Sequence, residues 1–62
     1  MKLTILFGGK NITEEGQDLT DILGKIGTNT ESIIVLKGGK VVLEEEVSDG
    51  DTIELVNVAS GG

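Results

Sequence analysis

The groups in this 62-residue chain that could do chemistry are carboxylates, because the sequence contains no cysteine and no histidine. The chain therefore offers no thiol nucleophile, no imidazole base and no ligand set for a soft metal. A Ser-His-Asp arrangement is excluded for the same reason. Nothing in the sequence marks two of the eleven acidic residues as an opposed acid-base pair. We therefore predict that the chain is not an enzyme and binds no cofactor stably.

The last four residues carry the strongest functional signal. Ala59, Ser60, Gly61 and Gly62 are small, follow a predicted strand and end the chain. Such a segment can extend roughly 13 Å, far enough to enter the active site of another protein. Two terminal glycines present a carboxylate with no Cβ to obstruct a narrow channel. The alternative interpretation is a frayed terminus with no function.

A group of acidic residues near the end of the sequence could be taken for a calcium or magnesium site: Glu44, Glu45, Glu46, Asp49 and Asp51. Their spacing matches no EF-hand loop. A strand would also send alternate carboxylates to opposite faces of a sheet. We therefore favour a solvated acidic edge and predict no metal site.

The net charge of −6 bears on partners and location. It repels nucleic acids and anionic membranes, and the five lysines are scattered along the sequence. A basic protein partner would suit this charge, although solubility alone explains it equally well. No apolar stretch approaches ~18 residues and the N-terminus lacks a signal-peptide pattern, so we expect a cytoplasmic protein without a membrane segment.

The first half of the chain predicts a hairpin and then a helix. Residues 1–7 alternate in polarity, which indicates a half-buried strand with Phe7 in the core. Gly8-Gly9 suits a hairpin turn, with a short return strand over 10–13 and a loop over 14–16. The helix is predicted by an apolar stripe at i, i+3, i+4 and i+7, formed by Leu19, Ile22, Leu23 and Ile26. Asp18 is the expected N-cap and Gly27 the expected terminator.

The second half predicts three more strands. Residues 32–36 are apolar on both faces, as expected of a central strand. Gly38-Gly39 predicts a second hairpin turn, with a return strand over 41–45. A turn over 49–51 precedes the last strand, residues 52–58. We therefore expect an α+β fold in which one helix packs on one face of a mixed sheet of four to five strands. Residues 1–58 would form the domain and 59–62 a flexible tail.

The last strand also predicts an interaction surface. Ile53 and Leu55 share one face, which we assign to the core, whereas Glu54, Val56 and Val58 share the other. Two valines on an outward face are candidates for a partner-docking patch. The alternative is a bulge or twist that returns one of them to the core.

Residues 49–56, with the sequence DGDTIELV, followed by Val58 and Gly61-Gly62, resemble the ThiS and MoaD sulfur carriers. Those proteins close with a D-G-D turn, a strand such as I-E-I-V and a free Gly-Gly. The resemblance implies a ubiquitin-like β-grasp fold in which the first and last strands lie parallel at the centre of the sheet. It also implies that an activating enzyme uses ATP to adenylate Gly62, and that sulfur then displaces AMP to leave a thiocarboxylate.

The same resemblance implies a monomer that serves a sulfur-accepting synthase in the thiolation of a thiamin thiazole, a molybdopterin or a tRNA base. Three features depart from the family pattern: Gly38-Gly39 in place of Asn-Gly, a short segment between residues 41 and 49, and Ser60 where Gly or Ala is usual. They leave the pathway open. Two alternatives remain, namely a modifier that is conjugated to lysines and a β-grasp binding module with an inert tail.

Overall fold

A computed structural model of the chain describes residues 1–29 and 31–58, which form one mixed sheet and one α-helix. Five strands lie in the order β2-β1-β5-β3-β4. Their bounds are β1 Lys2–Phe7, β2 Lys10–Glu15, β3 Ile33–Lys37, β4 Lys40–Val41 and β5 Thr52–Asn57. The helix α1, Leu19–Ile26, follows β2, and a short 3₁₀ helix, Glu44–Glu46, lies between β4 and β5.

The first hairpin is longer than the sequence predicts. Gly8 and Gly9 both have positive φ, 60° and 78°, as a two-residue hairpin turn requires. β2 does not end near residue 13 but pairs along the whole of β1, as far as Lys2 opposite Glu15. Beyond the ladder, Gly16 N–H donates to the carbonyl of Met1 at 2.9 Å. The prediction of a loop over 14–16 was therefore wrong for its first two residues, because ladder pairing outweighs the weak strand propensity of glutamate.

Both ends of α1 follow the local signals in the sequence. The Asp18 carboxylate accepts a hydrogen bond from Asp21 N–H at 2.8 Å, which confirms the N-cap. Gly27 has a φ of 99° and ends the helix, as predicted. Thr28 N–H donates to the Leu23 carbonyl at 2.9 Å, while Gly27 N–H donates to that of Gly24 at 3.2 Å. These two bonds form a Schellman motif and satisfy carbonyls at the end of the helix.

The second hairpin departs most from prediction. β3 pairs with β5 on one side and with β4 on the other, but the middle strand of the sheet is β5 and not β3. Ile34 is 39% exposed, so β3 is not buried on both faces as predicted. The expected return strand over 41–45 is also wrong. β4 has only two residues, and after Val42 N–H donates to the Val35 carbonyl the chain turns into the 3₁₀ helix.

The core lies between the sheet and α1. Its ten buried side chains are all aliphatic: Leu3, Ile5, Leu19, Ile22, Leu23, Ile33, Val35, Val47, Ile53 and Leu55. Phe7, predicted in the core, is only partly buried and packs against this cluster. The helical stripe is confirmed, with Ile26 at its margin.

Sheet and helix together make an α+β fold of the ubiquitin-like β-grasp type. β1 and β5 are parallel, with Ile5 opposite Ile53, whereas the other strand pairs are antiparallel. The parallel pairing of the first and last strands near the centre of the sheet is therefore confirmed. Within the described ranges, no helix has the length and apolar character needed to cross a membrane.

Candidate functional site

β5 presents two valines to solvent. Val56 is 38% exposed and Val58 is 45% exposed, whereas Ile53 and Leu55 are buried. Exposed and buried residues alternate from Thr52 to Val56, and Asn57 is exposed as well. Ile53 and Leu55 therefore face the core as predicted, and neither valine is returned to it. The role of these valines in docking stays a prediction.

Strand pairing places two further apolar side chains beside these valines. Ile34 lies opposite Val56 across the β3–β5 pair, and Leu6 of β1 lies opposite Glu54 of β5. Each is 39% exposed. Since paired residues share a face, Leu6, Ile34, Val56 and Val58 form one apolar surface on the side of the sheet away from α1. We call these four residues the outer-face patch.

The sequence prediction missed Leu6 and Ile34. Leu6 interrupts the alternation of β1 because it is apolar between Ile5 and Phe7, and this was the available signal. Ile34 belongs to a continuous apolar run that was interpreted as a strand buried on both faces. Only the sheet register shows that both side chains lie beside the valines of β5.

One carboxylate lies within the outer-face patch. Glu54 is exposed and lies between Leu6 of β1 and Leu36 of β3. In the part of the chain that the structure describes, it makes no ion pair. A partner that covers the patch therefore needs an apolar surface with a cationic group opposite Glu54, because an unpaired carboxylate is costly to desolvate.

The turn before β5 fixes that strand to β1. The Asp49 carboxylate accepts a hydrogen bond from Lys2 N–H at 2.7 Å. Gly50 N–H donates to the Lys2 carbonyl, also at 2.7 Å, and Gly50 has a φ of 86°, where a side chain would be strained. The D-G-D signature of the resemblance thus has a structural role: it closes the turn that starts β5 in parallel with β1.

Asp51 joins the same turn to β3. Its carboxylate lies 2.7 Å from the Lys37 ammonium and accepts a hydrogen bond from Ser48 N–H at 2.7 Å. The hydrogen bond from Lys37, followed by that from Ser48, holds the pKa of Asp51 below the ordinary aspartate value of 3.8. Lys37 also donates to the Glu46 carbonyl at 3.3 Å. This lysine therefore stabilises the end of the sheet from which β5 begins.

The acidic edge has structural hydrogen bonds of its own. Glu46 accepts from Leu43 N–H at 2.9 Å, which closes the 3₁₀ helix. Glu44 lies 3.4 Å from the Thr20 hydroxyl of α1. Among residues 1–29 and 31–58, no three carboxylates converge in a way that could hold a metal ion.

The tail begins from a fixed point. Val58 N–H donates to the Ser32 carbonyl at 2.9 Å, which holds the end of β5 against the start of β3. Because β5 runs parallel to β1, its carboxyl end leaves the sheet on the side where β1 turns at Gly8-Gly9. The predictions for Ala59, Ser60, Gly61 and Gly62 lie outside the described residues.

Comparison with known proteins identifies a relative that aligns with the whole chain and a relative that aligns with most of it. None of the known family models matches the chain. An uncharacterized protein of Archaeoglobus fulgidus is 37% identical over 67 aligned positions, which span the whole of both chains. The sulfur carrier protein TtuB of Thermus thermophilus is 36% identical over 45 residues, which make up 71% of this chain and 69% of TtuB. With this identity over more than two thirds of each sequence, the chain belongs to the sulfur carrier family.

Proposed function

We propose that the chain is a non-catalytic sulfur carrier of the ThiS/MoaD type and that the Gly62 carboxyl group carries the sulfur. The identity with the sulfur carrier protein TtuB is the observation that supports this most strongly. The absence of cysteine adds to it, because no side chain of this protein can hold sulfur as a persulfide. The reacting group is then the terminal carboxylate.

The chemistry takes place in a partner enzyme that consumes ATP. An oxygen of the Gly62 carboxylate attacks the α-phosphorus of ATP, the bond to pyrophosphate breaks, and an acyl adenylate forms. Hydrosulfide then attacks the activated carbonyl carbon. The bond to AMP breaks, a proton is released, and the terminus becomes a thiocarboxylate. A second partner, a sulfur-accepting synthase, takes the sulfur for a thiamin thiazole, a molybdopterin or a tRNA base.

The fold supports this chemistry by positioning the terminus. Residues 1–58 act as a rigid domain that a partner can bind, and 59–62 act as the tail that enters the partner. Ala59, Ser60 and Gly61 pass through a channel that larger side chains would block. Four residues reach roughly 13 Å beyond Val58, so the base of the tail must be held close to the partner.

The outer-face patch is the proposed docking surface for the activating enzyme. Val56 lies on β5 and Val58 directly follows that strand, toward the tail, and Leu6 and Ile34 widen the apolar area around them. Docking on this face fixes the base of the tail relative to the active site of the partner. The patch therefore supplies proximity, and the partner supplies the catalytic groups.

Deletion of Gly62 tests the proposal. Intact mass of the protein from its native source first establishes whether Gly62 is the terminal residue. In ATP–pyrophosphate exchange with the activating enzyme, the truncated chain should be inactive although Gly61 still offers a glycine carboxylate, because the reach falls by ~3.3 Å. Gly62→Ala should be milder, and Gly62→Val severe, since a β-branched side chain obstructs a narrow channel.

The stability of the same variants is the control for this test. Their urea unfolding should match that of the intact protein, because the last residues of a domain usually add little to its stability. Equal exchange activity of the truncated and intact chains would contradict the role of Gly62. No exchange activity in the intact chain, with an enzyme shown to be active on another carrier, would favour the β-grasp binding module with an inert tail.

A further inference from the structure

A second surface lies on the helix side of the molecule. A cleft of about 510 Å³ opens between the start of α1 and the 3₁₀ helix. No residue of the outer-face patch lines it, although a neighbouring pocket that shares Leu19, Leu43 and Glu44 with it is also lined by Ile34 of that patch. Its volume lies within the range of pockets that hold small ligands or single side chains.

The floor of this cleft is apolar. Leu19 and Val47 belong to the buried core, and Met1 packs against the same core. Leu43 also lines the cleft but is 62% exposed, an unusual position for a large aliphatic side chain. Covering Leu43 would remove more apolar surface from water than covering any one residue of the outer-face patch, so the cleft favours an apolar contact.

The walls of the cleft are acidic. Asp18, Glu44 and Glu45 line it, and no lysine does. The one cation among the lining residues is the N-terminal ammonium of Met1, which donates to the Gly16 carbonyl at 2.9 Å. Asp18 is also the N-cap of α1, where it accepts the hydrogen bond from Asp21 N–H. Glu44 and Glu45 are exposed and belong to the one element of the described chain that consists entirely of acidic residues. A cationic side chain entering the cleft would therefore meet three carboxylates around an apolar floor.

We propose that this cleft binds a segment of a partner protein in which an apolar side chain is flanked by basic side chains. The apolar side chain would contact Leu43 and Leu19, and the basic groups would pair with Glu44 and Glu45. The net charge of −6 disfavours a second copy of this chain as the occupant. The proposal does not depend on the chemistry of Gly62, and a protein docked on the outer-face patch leaves the cleft open.

A peptide titration of the full chain tests the proposal. The probe is acetyl-Arg-Ile-Leu-Arg-amide, and the matched control is acetyl-Glu-Ile-Leu-Glu-amide. In two-dimensional ¹⁵N–¹H spectra, the basic peptide should shift the amide signals of Leu19, Leu43, Glu44 and Glu45, and the acidic peptide should shift none of them. Shifts centred on Leu6 and Val56, or no shifts at all, would overturn the proposal.

Charge-matched variants distinguish peptide binding in the cleft from nonspecific attraction by the net charge of the chain. Glu44→Gln with Glu45→Gln should weaken binding of the basic peptide about fivefold. Glu14→Gln with Glu31→Gln removes the same charge at half-buried Glu14 and exposed Glu31, neither of which lines the cleft, and should leave the affinity nearly unchanged. Leu43→Ser should also weaken binding while leaving the fold intact. Equal losses in the two double variants, or full binding by Leu43→Ser, would show that only net charge attracts the peptide.

Discussion

Asp49 and Asp51 show how a sequence signature of the sulfur carriers acts at the residue scale. Asp49 binds the backbone of Lys2, and Asp51 binds Lys37 and the backbone of Ser48. Both carboxylates are therefore engaged in contacts that hold the turn. The acidic residues of this turn fix the start of β5, and so determine which of its side chains face outward.

The ion pair of Asp51 predicts a pH dependence of stability. Because the folded-state pKa of Asp51 lies below the ordinary aspartate value of 3.8, the pair stabilises the fold above that pH. This stabilisation is lost as pH falls through the lowered pKa. Asp51→Asn should therefore be less stable than the wild type at neutral pH, and the difference should shrink below pH 3.8. Urea unfolding of both proteins across this range measures it.

Lys37→Gln is the matched control for that series. It removes the principal cause of the lowered pKa while the Asp51 carboxylate remains. Its stability should depend less steeply on pH in the acidic range than that of the wild type. An unchanged difference between Asp51→Asn and the wild type from neutral pH to below 3.8 would mean that the pair does not stabilise the fold.

At the scale of elements, Gly24 inside α1 and Gly27 just after it give two tests of the helix in which the expected changes in stability have opposite signs. Gly27 has a φ of 99°, so Gly27→Ala should destabilise the protein by about 1 kcal/mol. Gly24 lies inside the helix, and an added Cβ there meets nothing within 4 Å. Gly24→Ala should therefore stabilise by about 1 kcal/mol. Thermal unfolding of the two variants should show shifts of opposite sign, and shifts of the same sign would refute this description of the helix.

The elements that could be predicted from the sequence are those with local causes. Asp18, the apolar stripe and Gly27 define α1 without reference to the rest of the chain. The two Gly-Gly turns likewise require only positive φ. The end of β2 and the shortness of β4 could not be predicted in this way, because each depends on how far a neighbouring strand continues to pair.

The same limit applies to the candidate site. Period-2 alternation along β5 predicts correctly that Val56 and Val58 face outward. Leu6 and Ile34 join them only through the β1–β5 and β5–β3 registers, which no local pattern specifies. The core position of Val47, between two stretches of acidic residues, is also a consequence of tertiary packing.

At the scale of the whole molecule, Val58 tests whether the outer-face patch binds the activating enzyme. Val58→Asp should leave the melting temperature nearly unchanged, because this side chain is 45% exposed. It should weaken binding to the activating enzyme, since a second carboxylate would enter the patch beside Glu54. Calorimetric titration measures the affinity.

The control is the same substitution in the core. Leu55→Asp, next to the patch in sequence but buried, should cost several kcal/mol because an unpaired charge would be buried. A large loss of stability for Val58→Asp would place its side chain in the core. Unchanged affinity of a stable Val58→Asp variant would show that the enzyme binds elsewhere.

The central claim is that the terminal carboxylate carries sulfur, and intact-mass spectrometry tests it most directly. The purified chain is incubated with ATP, sulfide and the activating enzyme, and a parallel sample lacks ATP. With ATP, the mass should rise by the difference between sulfur and oxygen, and fragmentation should place that change on Gly62. Without ATP the mass should not change. An unmodified Gly62 in the complete reaction, with an enzyme shown to be active on another carrier, would contradict the sulfur-carrier mechanism proposed for this protein.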